Sequence, residues 1–161
     1  MSKVFIFVAG EGGHFSQFTR FYEKVQEDLV DCKIYLLTDH LHPNNNKALD
    51  GLNVVELGAI RAKSGFRFSD MFNHLYRAVS FYIKLRNFKE ISMVSTGPGI
   101  AILPAILTRL LGGKVVHIET WSRFYSKSMT GKVMYFLANK FYVQNQSLLK
   151  LYKKAIYSGK L

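Results

Sequence analysis

The chain has a single cysteine, three prolines and one tryptophan in 161 residues, and it has no acidic residue after Glu119. One cysteine, Cys32, excludes an internal disulfide and fits a reducing compartment; its plain reading is a small buried residue at a strand edge. Long hydrophobic runs are missing as well. Lys3-Val4-Phe5-Ile6-Phe7-Val8-Ala9 stops at Gly10-Glu11-Gly12-Gly13, and the stretch from Gly99 to Leu111 is broken by Pro104 and Arg109. Neither reaches the ~20 apolar residues that a helix needs to cross a bilayer core of roughly 30 Å, and no secretory signal opens the chain. The expectation is a protein of the cytosol, or one that lies on a membrane without spanning it. There is no low-complexity stretch and no internal repeat; 48% apolar and 20% charged residues argue against disorder. The length is that of one domain, residues 1–161, with a real core.

The absence of acids after Glu119 leaves Arg123, Lys127, Lys132, Lys140, Lys150, Lys153, Lys154 and Lys160 unbalanced, and much of the net charge of +11 comes from this C-terminal part. A one-sided field calls for an extended negative partner: a lipid surface with diphosphate head groups, a nucleic acid or an acidic protein.

What is present alternates. Short β-branched and aromatic runs at Val4–Val8, Lys33–Leu37, Asn53–Leu57, Ile91–Ser95, Val115–Glu119 and Lys140–Val143 predict strands. Helical spacing follows in His14–Leu29 and in Ser69–Phe88, and a third helix is expected after Pro98, closed by Gly112-Gly113. Strands alternating with helices predict an α/β fold: a Rossmann-like parallel sheet covered by helices on both faces. Ligands then bind beyond the carboxyl ends of the strands, which selects the loops Gly10–Ser16, Ser95–Gly99 and Glu119–Thr130.

Gly12-Gly13-His14 opens the first helix. Glycines there let backbone N–H groups approach an anion or a sugar oxygen, with Ser16 one turn on. The dinucleotide fingerprint is incomplete, since the third glycine is missing; a plain tight turn explains the loop equally well. His14 sits where the helix dipole favours a neutral imidazole acting as base or donor. Thr96, Gly97 and Gly99 repeat the arrangement, although a helix cap by Thr96 and a helix start at Pro98 account for them without a ligand. In the third loop, Glu119 suits a base or a sugar-hydroxyl ligand, and Thr120, Arg123 and Lys127 suit a diphosphate; a solvated loop is the alternative. The segment from Ile60 to Lys89 interleaves basic and aromatic residues. Arg67, Phe68, Phe72, Arg77 and Phe81 are read there as membrane contacts, against a core helix with a solvated basic face. His40 and His42 have no partners at metal-ligand spacing, so no metal and no cofactor are expected.

The words Gly12-Gly13-His14, Thr96-Gly97-Pro98-Gly99, Ile118-Glu119-Thr120-Trp121-Ser122-Arg123, Ser128-Met129-Thr130-Gly131-Lys132, Phe141-Tyr142-Val143-Gln144 and Tyr157-Ser158-Gly159 carry a resemblance across nearly the whole chain. In this order they resemble the acceptor-side, membrane-associating subunit of the bipartite UDP-N-acetylglucosamine transferase of the dolichol pathway. The likeness is nearest to bacterial relatives in capsular and exopolysaccharide assembly. The resemblance implies the N-terminal, acceptor-binding half of a GT-B glycosyltransferase, with a separate donor-binding subunit as partner. It departs from eukaryotic members, which begin with a membrane helix. It also implies inverting transfer from a UDP-sugar to a polyprenyl-diphosphate-linked saccharide on the cytoplasmic face of the cell membrane, where the chain would be peripheral. His14 or Glu119 would supply the base, and the partner would dock near Leu148–Leu161. Two rival readings stand beside it: a non-catalytic scaffold that recruits and stimulates a donor-binding transferase, and a nucleic-acid binder with only charge and aromatics in its favour.

Overall fold

A computed structural model describes residues 3–40, 51–58 and 68–161. The chain runs β1 (Lys3–Val8), α1 (Gly13–Val25), a 3-10 turn (Gln26–Leu29), β2 (Lys33–Thr38) and β3 (Asn53–Glu56). After α2 (Phe68–Leu85) come β4 (Glu90–Ser95), a 3-10 turn (Gly99–Ala101), α3 (Ile102–Leu110), β5 (Lys114–Ile118) and α4 (Met129–Leu137). The chain closes with β6 (Lys140–Val143), a 3-10 turn (Gln146–Lys150) and β7 (Ile156–Tyr157).

The strands form one sheet in the order β3-β2-β1-β4-β5-β6-β7, and every described pairing is parallel. Val4, Ile6 and Val8 of β1 face one way with Met93, Val115 and Phe141, against Ala78, Leu85, Ala105 and Met134 of α2, α3 and α4. Phe5 and Phe7 face the other way with Val94 and Ile118, toward Phe18, Phe21 and Tyr22 of α1. Phe7 meets the Phe18 and Tyr22 rings at 5.3 and 5.5 Å, edge on. Helices thus lie on both faces, as the alternating sequence predicts. All six expected strands form within a residue of their expected ends; β7 and α4 were not anticipated as elements.

One local expectation is corrected. Thr96 does not cap a helix: its hydroxyl donates to the His14 carbonyl, and a 3-10 turn after Pro98 leads into α3. Pro104 sits in the first turn of α3, where a missing N–H costs little. Membrane contact at Phe81 is also overturned. Phe81 is 7% exposed, and its ring packs edge-on to Tyr35 at 5.0 Å. At 3.6 residues per turn it shares the buried face of α2 with His74, Ala78, Tyr82 and Leu85. Phe68 and Phe72 are exposed; Arg77 is exposed and donates to the Glu56 carbonyl; Arg67 lies outside the described residues.

Candidate functional site

β1 and β4 are neighbours, but the chain leaves them in opposite directions along the sheet, to β2 on one side and β5 on the other. This is the topological switch, and loops leaving it diverge to open a crevice. The three loops selected from the sequence meet there. A cavity of about 330 Å³ is lined by His14, Thr96, Gly97, Pro98, His117, Glu119, Thr120, Ser122, Arg123, Ser128, Met129 and Thr130. A second cavity, of about 260 Å³, lies on the other side of the glycine loop and is lined by Gly10, Glu11, Gly12, Phe15, Ser16, Thr38 and His40.

His14 is tied to the loop that follows β4. Its Nδ1 lies 2.6 Å from the Thr96 carbonyl oxygen, and the Thr96 hydroxyl donates back to the His14 carbonyl at 3.0 Å. A carbonyl only accepts, so Nδ1 carries a proton, and in the neutral tautomer that this contact selects the lone pair is at Nε2. The approach needs glycine at position 97. A Cβ there would come within 2.6 Å of His14 Cε1, and the backbone φ of +87° is one that side chains rarely adopt. Gly10 serves the same packing, because a Cβ on it would strike the Pro98 ring at 2.5 Å. Gly12, at φ 64° and ψ −127°, makes the turn that starts α1.

Glu119 lines the cavity but is buried, and both its carboxylate oxygens are engaged. Ser128 Oγ donates to them at 2.9 and 3.0 Å, Tyr152 Oη donates at 2.9 Å, and the Thr120 N–H at 3.0 Å. Burial, followed by the Glu119 charge and hydrogen bond, pushes the Tyr152 phenol well above its ordinary range. Ser128 also caps α4 by accepting from the Gly131 N–H at 2.7 Å. A Cβ at Gly131 would overlap Glu119 Oε2, so glycine is required there by space alone. The carboxylate is therefore the pin between β5 and α4.

The loop between them is held from beneath. Gln144 donates to the Glu119 carbonyl and accepts from the Leu161 N–H, while Asn145 donates to the carbonyls of Trp121 and Arg123. The Arg20 guanidinium lies 5.0 Å over the Trp121 ring, and Arg123 reaches Ser126 Oγ at 3.3 Å. Thr120 and Ser122 share a hydrogen bond of 3.1 Å at the cavity.

His14, Thr96, Gly97, Glu119, Thr120 and Arg123 thus share the first cavity, whereas Gly12 and Ser16 line the second. Gly13 is the first residue of α1, and Gly99 begins the turn next to Thr130. Lys127 is not among the lining residues; its ammonium sits 4.9 Å over the Tyr152 ring. Sequence reasoning assigned no role to His117, Ser128 or Tyr152. His117 had a signal, a polar residue in an apolar strand; Tyr152, 33 residues from Glu119, had none.

Comparison with known proteins bears on the family and the fold. Rat and human proteins named UDP-N-acetylglucosamine transferase subunit ALG14 are each 28% identical over 99 residues, covering 58% of this chain and 46% of theirs. The mouse protein of that name is 26% identical, covering 97% of this chain and 82% of its own. The match thus spans less than half the length of the rat and human relatives. Among solved structures, MurG of Acinetobacter baumannii superposes with a TM-score of 0.63 at 16% identity, over 100% of this chain and 44% of MurG. UGT2 of Phytolacca americana gives 0.54 at 11% identity, over 95% of this chain and 49% of UGT2. The fold is the Rossmann-like half of a GT-B glycosyltransferase, as expected from the sequence. The family described as oligosaccharide biosynthesis protein Alg14 like matches residues 5–161, and the chain belongs to that family.

Proposed function

We propose that this chain is the acceptor-binding, membrane-associating subunit of a two-subunit inverting glycosyltransferase that acts in surface polysaccharide biosynthesis. A separate subunit brings the UDP-sugar, and the acceptor is a sugar on a polyprenyl diphosphate. The observation that carries the reading is His14, held through Nδ1 so that Nε2 is left over in the lining of a polar cavity at the sheet's switch point. In the transfer step Nε2 takes the proton of the acceptor hydroxyl. That oxygen bonds to the donor's anomeric carbon from the face opposite the UDP, the carbon–oxygen bond to UDP breaks, and the diphosphate leaves with the electron pair. Glu119 and His14 were equal candidates for the base. Glu119 already accepts from Ser128, Tyr152 and Thr120, so the base role falls to His14, and Glu119 organises the loop. Thr120, Ser122 and Arg123 lie where sugar or diphosphate oxygens enter.

Membrane association draws support from one face. Phe72 and Tyr76 of α2, Leu110 of α3, and Met129, Val133 and Phe136 of α4 are exposed, and Phe136 is 86% exposed. α3 packs against both α2 and α4, so these positions belong to one side of the sheet. Lys132 and Arg109 are interspersed among them. Among the described residues no helix is long and apolar enough to span a membrane. The reading is of a peripheral protein on the cytoplasmic leaflet, held by apolar insertion and by lysines worth about 1 kcal/mol each near anionic lipid.

The donor subunit is assigned to the opposite face. There Phe5, Phe21, Val94, Val116, Ile118 and Tyr142 line a groove of about 460 Å³ that ends at Ser158–Leu161. Of the expected docking segment, Leu148 is fully buried and only the last residues reach this groove.

Co-purification with the donor subunit, followed by transfer to a prenyl-diphosphate-linked sugar from a panel of UDP-sugars, tests the reading. Turnover should need both chains, and His14→Ala should lower kcat by about 10²- to 10⁴-fold with the pair intact. Turnover by the donor subunit alone would support the stimulating scaffold instead, and full activity of His14→Ala would remove the base assignment.

A further inference from the structure

Most polar groups around the 330 Å³ cavity have partners within the chain. Glu119 is saturated, the hydroxyl and carbonyl of Thr96 are both joined to His14, and Arg123 reaches Ser126. His117 differs. It is 1% exposed, it lines the cavity from the carboxyl end of β5, and its Nδ1 is buried with no hydrogen-bond partner. Its ring packs 5.2 Å from that of Phe141, in surroundings an apolar residue would suit. A buried polar atom without a partner is uncommon; Nδ1 is sealed from solvent, and the ring nitrogen left for a ligand in the cavity is Nε2, which is not among the sealed, unpaired atoms. A hydroxyl can accept from that nitrogen or donate to it, whichever tautomer the ring holds. Burial above all holds His117 neutral, with its pKa lowered to about 3, and a proton on nearby His14 would push it the same way.

We infer that His117 is a positioning and specificity-determining residue: its imidazole hydrogen-bonds a hydroxyl of the acceptor sugar and so sets which neighbouring hydroxyl faces His14 Nε2. The inference rests on the acceptor-binding role proposed above. It separates two tasks in the crevice: His14 moves the proton, and His117 reads the ring that carries it. A site built to pair a hydroxyl discriminates strongly against an analogue that lacks it, because the protein group is then left unpaired.

The test uses the intact pair with its donor subunit. The probes are farnesyl-diphosphate-linked glucose, galactose and N-acetylglucosamine, together with their monodeoxy analogues. His117→Phe should raise the acceptor KM on the order of tenfold to a hundredfold and lower kcat as well, because the reacting hydroxyl is no longer held against His14, with the donor KM near wild type. It should also lose the wild-type preference against one monodeoxy analogue. Its melting temperature should equal or exceed that of wild type, because the substitution removes an unpaired buried nitrogen. His117→Asn or His117→Gln, which keep an amide donor and acceptor, should recover part of the acceptor KM. Wild-type turnover with an unchanged His117→Phe acceptor KM would overturn the assignment, as would losses in kcat, both KM values and melting temperature together. An intact wild-type pair that binds none of the probes in equilibrium dialysis would instead bring down the acceptor-binding reading, and this inference with it.

Discussion

A histidine buried as the neutral base makes stability depend on pH. His117 titrates near 3 in the fold and near its ordinary 6.5 when unfolded. Between those values the unfolded chain binds the extra proton, so stability is full above about 6.5 and falls as the pH drops toward 3, by about 1.4 kcal/mol per pH unit. His74, lowered by burial, adds in the same direction. Chemical denaturation at pH 7 and pH 5 should show the loss, and His117→Phe should flatten it. Glycines make the complementary case. Gly97→Ala brings a Cβ against the His14 ring at a positive φ, and Gly131→Ala drives one into the Glu119 carboxylate. We expect Gly131→Ala to cost stability on the order of 2–4 kcal/mol through overpacking and broken charge-assisted hydrogen bonds. Gly97→Ala should mainly lower kcat by displacing His14, and melting and transfer assays on the two variants separate the effects.

At the scale of elements, α2 and the loop before α4 each do two jobs. The inner face of α2 carries Ala78, Phe81, Tyr82 and Leu85 into the core, and Phe72 and Tyr76 project from it into solvent. Phe81→Ala should therefore destabilise the fold by about 3–5 kcal/mol. Phe72→Ser should change stability by no more than about 0.5 kcal/mol and weaken sedimentation with anionic vesicles. The loop after Glu119 gains its shape from below, because Asn145 spans the carbonyls of Trp121 and Arg123. Asn145→Ala should speed amide exchange across residues 120–127 and raise the acceptor KM, with the sheet amides unaffected; unchanged exchange there would show that the loop holds itself.

For the whole molecule, charge and apolar surface act together. In the proposed membrane association the carboxylate-free tail supplies cations, and the exposed positions of α2, α3 and α4 supply insertion. Electrostatic attraction at a surface fades beyond a Debye length of about 8 Å in physiological salt. Vesicle binding should then weaken as salt rises from about 0.05 to about 0.5 M, with a remainder that survives. The double variant Met129→Glu, Phe136→Glu should remove that remainder. Binding that vanishes in salt with the wild-type chain would leave a purely electrostatic contact.

Periodicity alone was enough to lay out six strands, the helices after β1 and β3, and the parallel α/β class, because a strand buried on both faces must be apolar throughout. The loops at strand carboxyl ends were legible too, since the alternation fixes where those ends lie. What lay beyond the sequence was partnership across distance. His14 finds Thr96 from 82 residues away, Tyr152 closes on Glu119 across 33, and Phe81 turns inward although its neighbours Phe68 and Phe72 do not. A sequence states which side chains have hydrogen-bonding capacity. Only the tertiary structure decides which capacity is consumed inside the fold, as at Glu119, and which is left without a partner in the chain, as at His14 Nε2 and His117, because burial and distance, not residue type, determine whether a polar group has already found its partner.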